Sequence, residues 1–211
     1  MSGAVFVTRP DMLEAPLRKI AEPLLAQAAE KVEAWGLSAN AVTVIGLLFG
    51  VAASFVITLN LYAVGIALVL LNRLCDALDG AVARRKGATA FGGVLDSASD
   101  FVFYAGVPFG FALGLPEHAI AVAFLLFGRT AYASSNYAYA TFSKNFKPDA
   151  AGTQVLHGLA GICDAPETFI FFLLMCLYPD SAGLFCYIYG ALCFVAAGAR
   201  VAAALGETID T

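Results

Sequence analysis

The sequence predicts an all-α membrane protein with six transmembrane helices and an N-terminal amphipathic helix on the membrane surface. Of its 211 residues, 60% are hydrophobic and only 13% are charged, whereas soluble domains are about 45–50% apolar and about 25% charged. The apolar residues form long blocks, and a helix of about 20 apolar residues crosses the roughly 30 Å hydrocarbon layer of a membrane. Composition and blocks together predict this fold class.

The apolar residues form six segments, separated by short breaks that contain turn residues or charges. The segments are 41–60, 62–84, 91–115, 118–142, 153–178 and 182–204. Because each connection is short, we expect neighbouring helices to pack antiparallel in one bundle. The chain is therefore predicted to consist of a cytoplasmic N-terminal segment, residues 1–36, and a six-helix domain, residues 37–211.

Residues 12–35 of the N-terminal segment show the pattern of an amphipathic helix. Their apolar side chains recur at steps of three or four residues: Leu13, Leu17, Ile20, Leu24, Ala28, Val32 and Trp35. Glu and Lys residues lie between them, which is typical of a helix on a membrane surface. The alternative is a soluble helix that packs on the end of the bundle.

The distribution of basic residues predicts the orientation in the membrane. Arg and Lys occur before the first apolar segment, after the second and after the fourth, and the other three connections contain none. The residues are Arg9, Arg18, Lys19 and Lys31, then Arg84, Arg85 and Lys86, then Lys144 and Lys147. Basic loops stay on the cytoplasmic side, so both termini are predicted to be cytoplasmic in a multi-pass protein of the cytoplasmic membrane.

Two pairs of aspartates lie within the predicted spans, where a charge costs roughly 2.5–3.5 kcal/mol and usually has a function. Asp76 and Asp79 are three residues apart and share one face of a helix, and Asp96 and Asp100 are four apart on the next. The connection between these helices is short and cytoplasmic. The two pairs are therefore predicted to converge just below the cytoplasmic surface.

Four carboxylates in one pocket repel one another unless cations lie between them. Oxygen ligands favour hard cations such as Mg²⁺, Mn²⁺ or Ca²⁺ over zinc. Two divalent ions would balance the four negative charges and leave Arg84 to contact a phosphate. This charge pattern predicts a metal site for a phosphate-containing substrate, without naming the substrate.

These residues resemble the motif of the CDP-alcohol phosphotransferase family, which reads D-x2-D-G-x2-A-R, then about eight residues, then G-x3-D-x3-D. All eight fixed residues are present: Asp76, Asp79, Gly80, Ala83, Arg84, Gly92, Asp96 and Asp100. The chain departs from the pattern in its spacer, because seven residues, 85–91, separate Arg84 from Gly92. We expect a tighter turn between the helices rather than a lost site.

The resemblance implies an enzyme that transfers a substituted phosphate from a CDP-linked donor, most readily CDP-diacylglycerol, to a small polar alcohol with release of CMP. It implies two ions of Mg²⁺ or Mn²⁺ as cofactors in phospholipid biosynthesis. Asp76, Asp79 and Asp96 would bind the ions. Asp100 would complete the ligand set and act as the general base.

The resemblance also implies a CDP pocket lined by Gly80, Ala83 and Arg84. Asn40 and Thr43, in the run SANAVT, resemble the N-x2-T element that lies near the nucleotide in this family. The same two residues are equally typical of a helix start.

Four basic residues are candidates for binding the acceptor: Arg129, Lys144, Lys147 and Arg200. If several of them converge, the acceptor would be a phosphorylated alcohol such as glycerol phosphate or inositol phosphate. Alternatively, the two arginines pair with Asp164, Glu167 or backbone carbonyls, and the lysines only determine topology. A homodimer through the third and fourth spans is also possible, because these spans are rich in small residues. No feature predicts a nucleic-acid partner.

Two other functions use acidic residues inside a membrane. An ion or proton transporter would show paired halves with broken helices in matching positions, and this pattern is absent from the sequence. A membrane prenyltransferase places its two acidic motifs on well-separated helices, whereas here both fall within residues 76–100. The sequence therefore favours the phosphotransferase over both alternatives.

Overall fold

The computed structural model describes residues 14–142 and 163–209, with side chains for 22–142 and 163–204. All regular structure in this part of the chain is helical. The α-helices are α1 (Glu14–Ala34), α2 (Ala39–Thr58), α3 (Tyr62–Lys86), α4 (Ala90–Gly114), α5 (Ala119–Phe142), α6 (Ala165–Leu177) and α7 (Ala182–Ile209). Short 3-10 turns, Pro116–His118 and Pro179–Ser181, precede α5 and α7.

The helices follow the predicted apolar segments closely. Helices α2 to α5 begin and end within two residues of the first four segments, and α7 begins where the sixth does. The predicted fifth segment, 153–178, corresponds to α6 from Ala165 onward, and its first part lies outside the described residues. The predicted N-terminal helix corresponds to α1.

Two helical stretches of the described chain, Ala39–Thr58 and Pro179–Ala204, are long and apolar enough to cross a membrane, and Ala165–Leu177 is apolar but shorter. Helices α3 to α5, which contain the charged and polar residues, do not meet the same criterion. Large apolar side chains nevertheless face outward on several helices, including Leu48, Phe109 and Phe127. The all-helical fold is confirmed, and the six-span arrangement remains a prediction.

Helix α2 packs very closely against both α3 and α4. A β-carbon on Gly110 of α4 would lie 2.4 Å from the backbone oxygen of Ser54. A β-carbon on Gly46 of α2 would lie 2.9 Å from the Cβ of Cys75. Only glycine allows such an approach of two helix backbones. Through this packing, α2 brings the two helices of the acidic motif together on one side of the bundle.

Helices α5 and α7 cross at a second close contact, where a β-carbon on Gly128 would lie 2.5 Å from the backbone oxygen of Gly190. Side chains of α6, among them Phe172 and Met175, fill the space between this pair and α4 and are fully buried. The bundle therefore has two tightly packed groups, α2–α3–α4 and α5–α7, which meet through direct contacts between α4 and α5 and through α6.

Replacing Gly128 by alanine is expected to lower the free energy of unfolding by about 1–3 kcal/mol, because the new methyl group meets backbone atoms that cannot move aside. Thermal unfolding of the purified protein in detergent measures the effect. The matched control is Gly198→Ala on α7, where a β-carbon meets nothing within 4 Å. Equal unfolding temperatures for the two variants would contradict the close crossing.

The turn between α3 and α4 has only three residues, 87–89. Gly87 ends α3 with φ +95°, a backbone conformation that glycine adopts without strain. Thr89 caps α4 by accepting a hydrogen bond from the Gly92 amide at 3.0 Å. The conformation of Gly87 and the Thr89 cap together produce the tight turn that the short spacer predicts.

Helix α1 packs on the end of α3, next to this turn. Ala29 and Val32 are buried against Ala81 and Val82, and Arg85 donates to Glu33 at 3.1 Å. This packing agrees with the alternative of a helix that caps the bundle, and Leu24 of the same helix is exposed.

Candidate active site

A cleft opens between α2, α3 and α4 in the part of the bundle nearest the α3–α4 turn, and we call it the carboxylate cleft. Its polar lining residues come from all three helices: Thr43, Asn72, Arg73, Asp76, Asp79, Asp96, Ser99 and Asp100. The structure therefore brings the four predicted aspartates into one cleft, and the seven-residue spacer has not separated the two pairs.

Three of the aspartates form a compact group, which we call the carboxylate triad. One oxygen each of Asp76, Asp79 and Asp96 lies within 4.8 Å of the others. Asp79 is only 6% exposed, so repulsion and loss of hydration both disfavour three negative charges here without a cation. The buried hydroxyl of Ser99, also in the cleft, has no hydrogen-bond partner among the described residues. These residues fit a hard divalent cation such as Mg²⁺ or Mn²⁺.

The fourth aspartate, Asp100, is paired with an arginine instead. Its Oδ1 accepts a hydrogen bond from Nη2 of Arg73 at 2.9 Å, and Nη1 of Arg73 lies 3.5 Å from Oδ2 of Asp76. The sequence did not predict Arg73 as part of the site. The available signal was spacing, because Arg73 precedes Asp76 by three residues and shares its helix face.

Arg73 is held in one orientation by its neighbours. Its Nε donates to Oδ1 of Asn72 at 2.8 Å, and its Nη1 donates to the Tyr104 hydroxyl at 3.0 Å. Asn72 is 4% exposed and donates in turn to the backbone oxygen of Gly46 at 2.8 Å. The Phe103 ring centre lies 4.2 Å from the guanidinium carbon. The cation is therefore a fixed part of the cleft.

The predicted CDP-pocket residues of α3 lie at the cytoplasmic end predicted for this helix. Nη1 of Arg84 lies 3.3 Å from the place that a β-carbon on Gly80 would occupy, so the exposed guanidinium folds back over the glycine. Ala83 is half-buried on the next turn. Small residues at 80 and 83 leave room for a ligand beneath this cation.

The predicted residues of α2 meet the start of α4. Thr43 lines the carboxylate cleft beside Asp79 and is 6% exposed. Oδ1 of Asn40 lies 3.0 Å from the place that a β-carbon on Gly92 would occupy. The motif glycine at 92 therefore permits the start of α2 to approach the start of α4.

Three arginines alternate with two tyrosines across the bundle, and we call this set the arginine–tyrosine ladder. The guanidinium carbon of Arg73 lies 5.2 Å from the Tyr104 ring centre, and that of Arg129 lies 4.6 Å from it. The guanidinium carbons of Arg129 and Arg200 lie 5.5 Å and 4.6 Å, respectively, from the Tyr132 ring centre. The ladder extends from the carboxylate cleft to α7. The sequence did not predict this set of contacts.

Arg129, a predicted acceptor-binding residue, lies in the middle of the ladder. Its Nη1 donates to the backbone oxygen of Cys163 at 3.0 Å and to Oγ1 of Thr168 at 3.2 Å. It also lines an open groove of about 380 Å³ between α4 and α5. Its contacts agree with the backbone-carbonyl alternative, and its position in the groove also suits a ligand.

Arg200 is more enclosed, at 3% exposed. It donates to the backbone oxygen of Tyr132 at 3.4 Å and to Oγ of Ser135 at 3.0 Å. The other two predicted acceptor-binding residues, Lys144 and Lys147, lie outside the described residues.

Fold and site together define a class of protein. The helical bundle contains membrane-length apolar helices. Its carboxylate triad suits hard cations, and basic residues lie on both sides of the triad. These features define a membrane-bound, metal-dependent enzyme that acts on phosphate groups.

The CDP-alcohol phosphatidyltransferase family matches residues 37–203. Inner membrane protein YnjF of Escherichia coli is 38% identical over 193 residues, which cover 90% of this chain and 94% of that protein. Phosphatidylinositol phosphate synthase of Mycobacterium marinum is 34% identical over 179 residues, covering 82% and 68%. The chain belongs to the CDP-alcohol phosphatidyltransferase family, and it is a membrane transferase that moves a substituted phosphate from a CDP-linked donor to an alcohol. The transporter alternative is not favoured.

Solved structures show the same fold. Phosphatidylinositol phosphate synthase of Mycobacterium tuberculosis with CDP-DAG bound superposes with a TM-score of 0.69 at 19% identity, covering 85% of this chain and 92% of that chain. The same enzyme in complex with manganese and citrate gives 0.63, also at 19% identity, covering 86% and 88%.

Proposed function

We propose that the protein transfers a phosphatidyl group from CDP-diacylglycerol to a phosphorylated polar alcohol, releasing CMP. The observation that carries this proposal is the carboxylate triad, in which three oxygens from two adjoining helices lie within 4.8 Å. The Mycobacterium marinum relative is named a phosphatidylinositol phosphate synthase, and the Mycobacterium tuberculosis neighbour was solved with CDP-DAG. The CDP-DAG complex supports a lipid-linked donor, and the name of the Mycobacterium marinum relative supports a phosphorylated acceptor.

Asp76, Asp79 and Asp96 would hold Mg²⁺ or Mn²⁺, with Asp100 completing the set of four carboxylates for two ions. Bound divalent ions would neutralise the donor diphosphate and stabilise the charge that develops on CMP as it leaves. The manganese complex of the Mycobacterium tuberculosis neighbour supports this choice of cation.

Asp100 would act as the general base. Arg73 holds Oδ1 of this carboxylate, which leaves Oδ2 without a hydrogen-bond partner among the described residues. The acceptor hydroxyl would lose its proton to Asp100 as its oxygen forms a bond to the phosphorus of the phosphatidyl group, and the bond from that phosphorus to the CMP oxygen breaks. One phosphodiester bond thus forms as one bond of the diphosphate is lost.

The nucleotide would bind beside the triad, toward the α3–α4 turn. Gly80 and Ala83 leave space close to the α3 backbone, and the exposed Arg84 guanidinium supplies a positive charge above it. Asn40 and Thr43 would approach the same ligand from α2. Basic and small residues together suit a diphosphate that lies close to the backbone.

The acceptor would approach from the α5 side. Arg129 lines the groove between α4 and α5, and Arg200 is linked to it through the Tyr132 ring. Lys144 and Lys147 follow α5 in the chain. These four positive charges favour an acceptor that itself bears a phosphate.

In the membrane, the chain would span six times, with both termini and the site on the cytoplasmic side. The two membrane-length stretches, the basic residues after α3 and the Escherichia coli relative support this arrangement. Residues 1–36 would form the surface segment, since Leu24 and Trp35 of this region are 67% and 75% exposed. Residues 37–211 would form the catalytic domain, and a homodimer would use the small residues of α4 and α5.

An acceptor comparison tests the proposed function. With labelled CDP-diacylglycerol and Mn²⁺, the purified protein is expected to convert a phosphorylated alcohol at least about tenfold faster than the same alcohol without phosphate, because arginines favour the phosphate dianion. Inositol phosphate against inositol, and glycerol phosphate against glycerol, are suitable pairs. Equal rates within both pairs would contradict the acceptor proposal, and no CMP release from any pair would contradict the donor proposal.

A further inference from the structure

The carboxylate cleft already contains a cation of its own. Arg73 touches two of the four aspartates, at 2.9 Å from Asp100 and 3.5 Å from Asp76. Its guanidinium lies between the carboxylate triad and the aspartate that does not join the triad. A guanidinium in this position does part of what a second divalent ion would do, because it neutralises Asp100 and shares Asp76.

The arginine cannot easily move away. It hydrogen-bonds to Asn72 and Tyr104 as well as to Asp100, and it lies over the Phe103 ring. Asn72 is buried and itself hydrogen-bonded to the α2 backbone. The Arg73 side chain is only 14% exposed. Moving the guanidinium would leave the buried Asn72 and the half-buried Tyr104 and Asp100 without this hydrogen-bond partner, which favours its staying in the cleft when ions bind.

We propose that Arg73 limits the substrate-free protein to one divalent ion, bound by the carboxylate triad, so that a second ion enters only with a diphosphate ligand. This inference rests on the proposed function. With Arg73, the four carboxylates leave three negative charges, and one divalent ion leaves one. A second ion alone would make the cleft positive, whereas a diphosphate brings the negative charge that this ion needs.

Counting bound Mn²⁺ by electron paramagnetic resonance, without turnover, tests the inference on the whole protein in lipid nanodiscs. The wild-type protein is expected to bind one ion alone and two in the presence of CDP, which carries the diphosphate. Arg73→Gln is expected to bind two ions without CDP, with the second bound at least about tenfold more tightly than in the wild type. Arg73→Lys keeps the charge and is expected to bind one.

The matched control is Arg85→Gln, which removes the same charge from the same helix. Arg85 lies outside the cleft, on the surface, and contacts Glu33 at 3.1 Å, so this variant is expected to bind one ion alone, as the wild type does. Two ions in the wild type without CDP would overturn the inference about Arg73 and leave the proposed function standing. Binding of only one ion by Arg73→Gln without CDP would also overturn the inference about Arg73 and leave the proposed function standing. No ion in the wild type would overturn the metal site itself.

Discussion

Replacing Asp79 by asparagine is expected to abolish CMP release, with a rate at least about a thousandfold below the wild type. Asp79 is the most buried member of the carboxylate triad, and asparagine keeps its shape but removes its charge. A loss of about 4 kcal/mol of charge stabilisation in the transition state corresponds to roughly a thousandfold in rate. CMP release from CDP-diacylglycerol with Mn²⁺, and Mn²⁺ binding in the same preparation, measure the effect.

The control for this variant is Asp180→Asn, the same chemical change in the exposed 3-10 turn before α7. Its activity is expected to match the wild type. Without metal, Asp79→Asn is expected to be at least as stable as the wild type toward heat, because it relieves repulsion within the triad. A folded Asp79→Asn protein that keeps more than a tenth of the activity would exclude Asp79 as a metal ligand.

Replacing Asp100 by asparagine is expected to lower kcat by about 10²–10⁴-fold, the usual contribution of a general base. Binding of the first Mn²⁺ ion is expected to persist, since the triad consists of other residues. This combination separates the two aspartates experimentally: the Asp79 variant loses the metal and the rate, whereas the Asp100 variant loses the rate alone. Turnover with saturating donor and acceptor, together with Mn²⁺ titration, provides both numbers.

Loss of the first Mn²⁺ site in Asp100→Asn would show that Asp100 binds this ion and would argue against a separate role as base. Rates close to the wild type would exclude it from proton transfer. Asp180→Asn is the control here as well, because it makes the same chemical change in an exposed turn outside the cleft. Its kcat is expected to match the wild type.

Much of the fold could be predicted because helices in a membrane-type sequence are marked locally. Apolar blocks of helix length, separated by Gly87 and the other turn residues, placed α2 to α5 within two residues of their observed ends. The spacing of Asp76 and Asp79 put both on one face of α3, and Asp96 on the next helix reached the same cleft because the connecting turn is short. These properties depend on helix periodicity and chain connectivity alone.

Contacts between distant parts of the chain could not be predicted in this way. Nothing local to Asp100 indicates that its carboxylate pairs with Arg73, which lies 27 residues earlier. The contact of the Arg129 guanidinium with the Tyr104 ring depends equally on how α4 and α5 pack. Such pairings are decided by the approach of helix backbones, and that approach depends on which glycines face each other.

The sequence by itself determined the helical class of the protein, the family to which it belongs and the residues from which a metal site can be built. Only the tertiary structure decided that three aspartates form the triad and that the fourth is paired with an arginine. The physical reason is that periodicity places side chains on a helix face, whereas the close contacts of α2 with α3 and α4 determine which of those side chains meet.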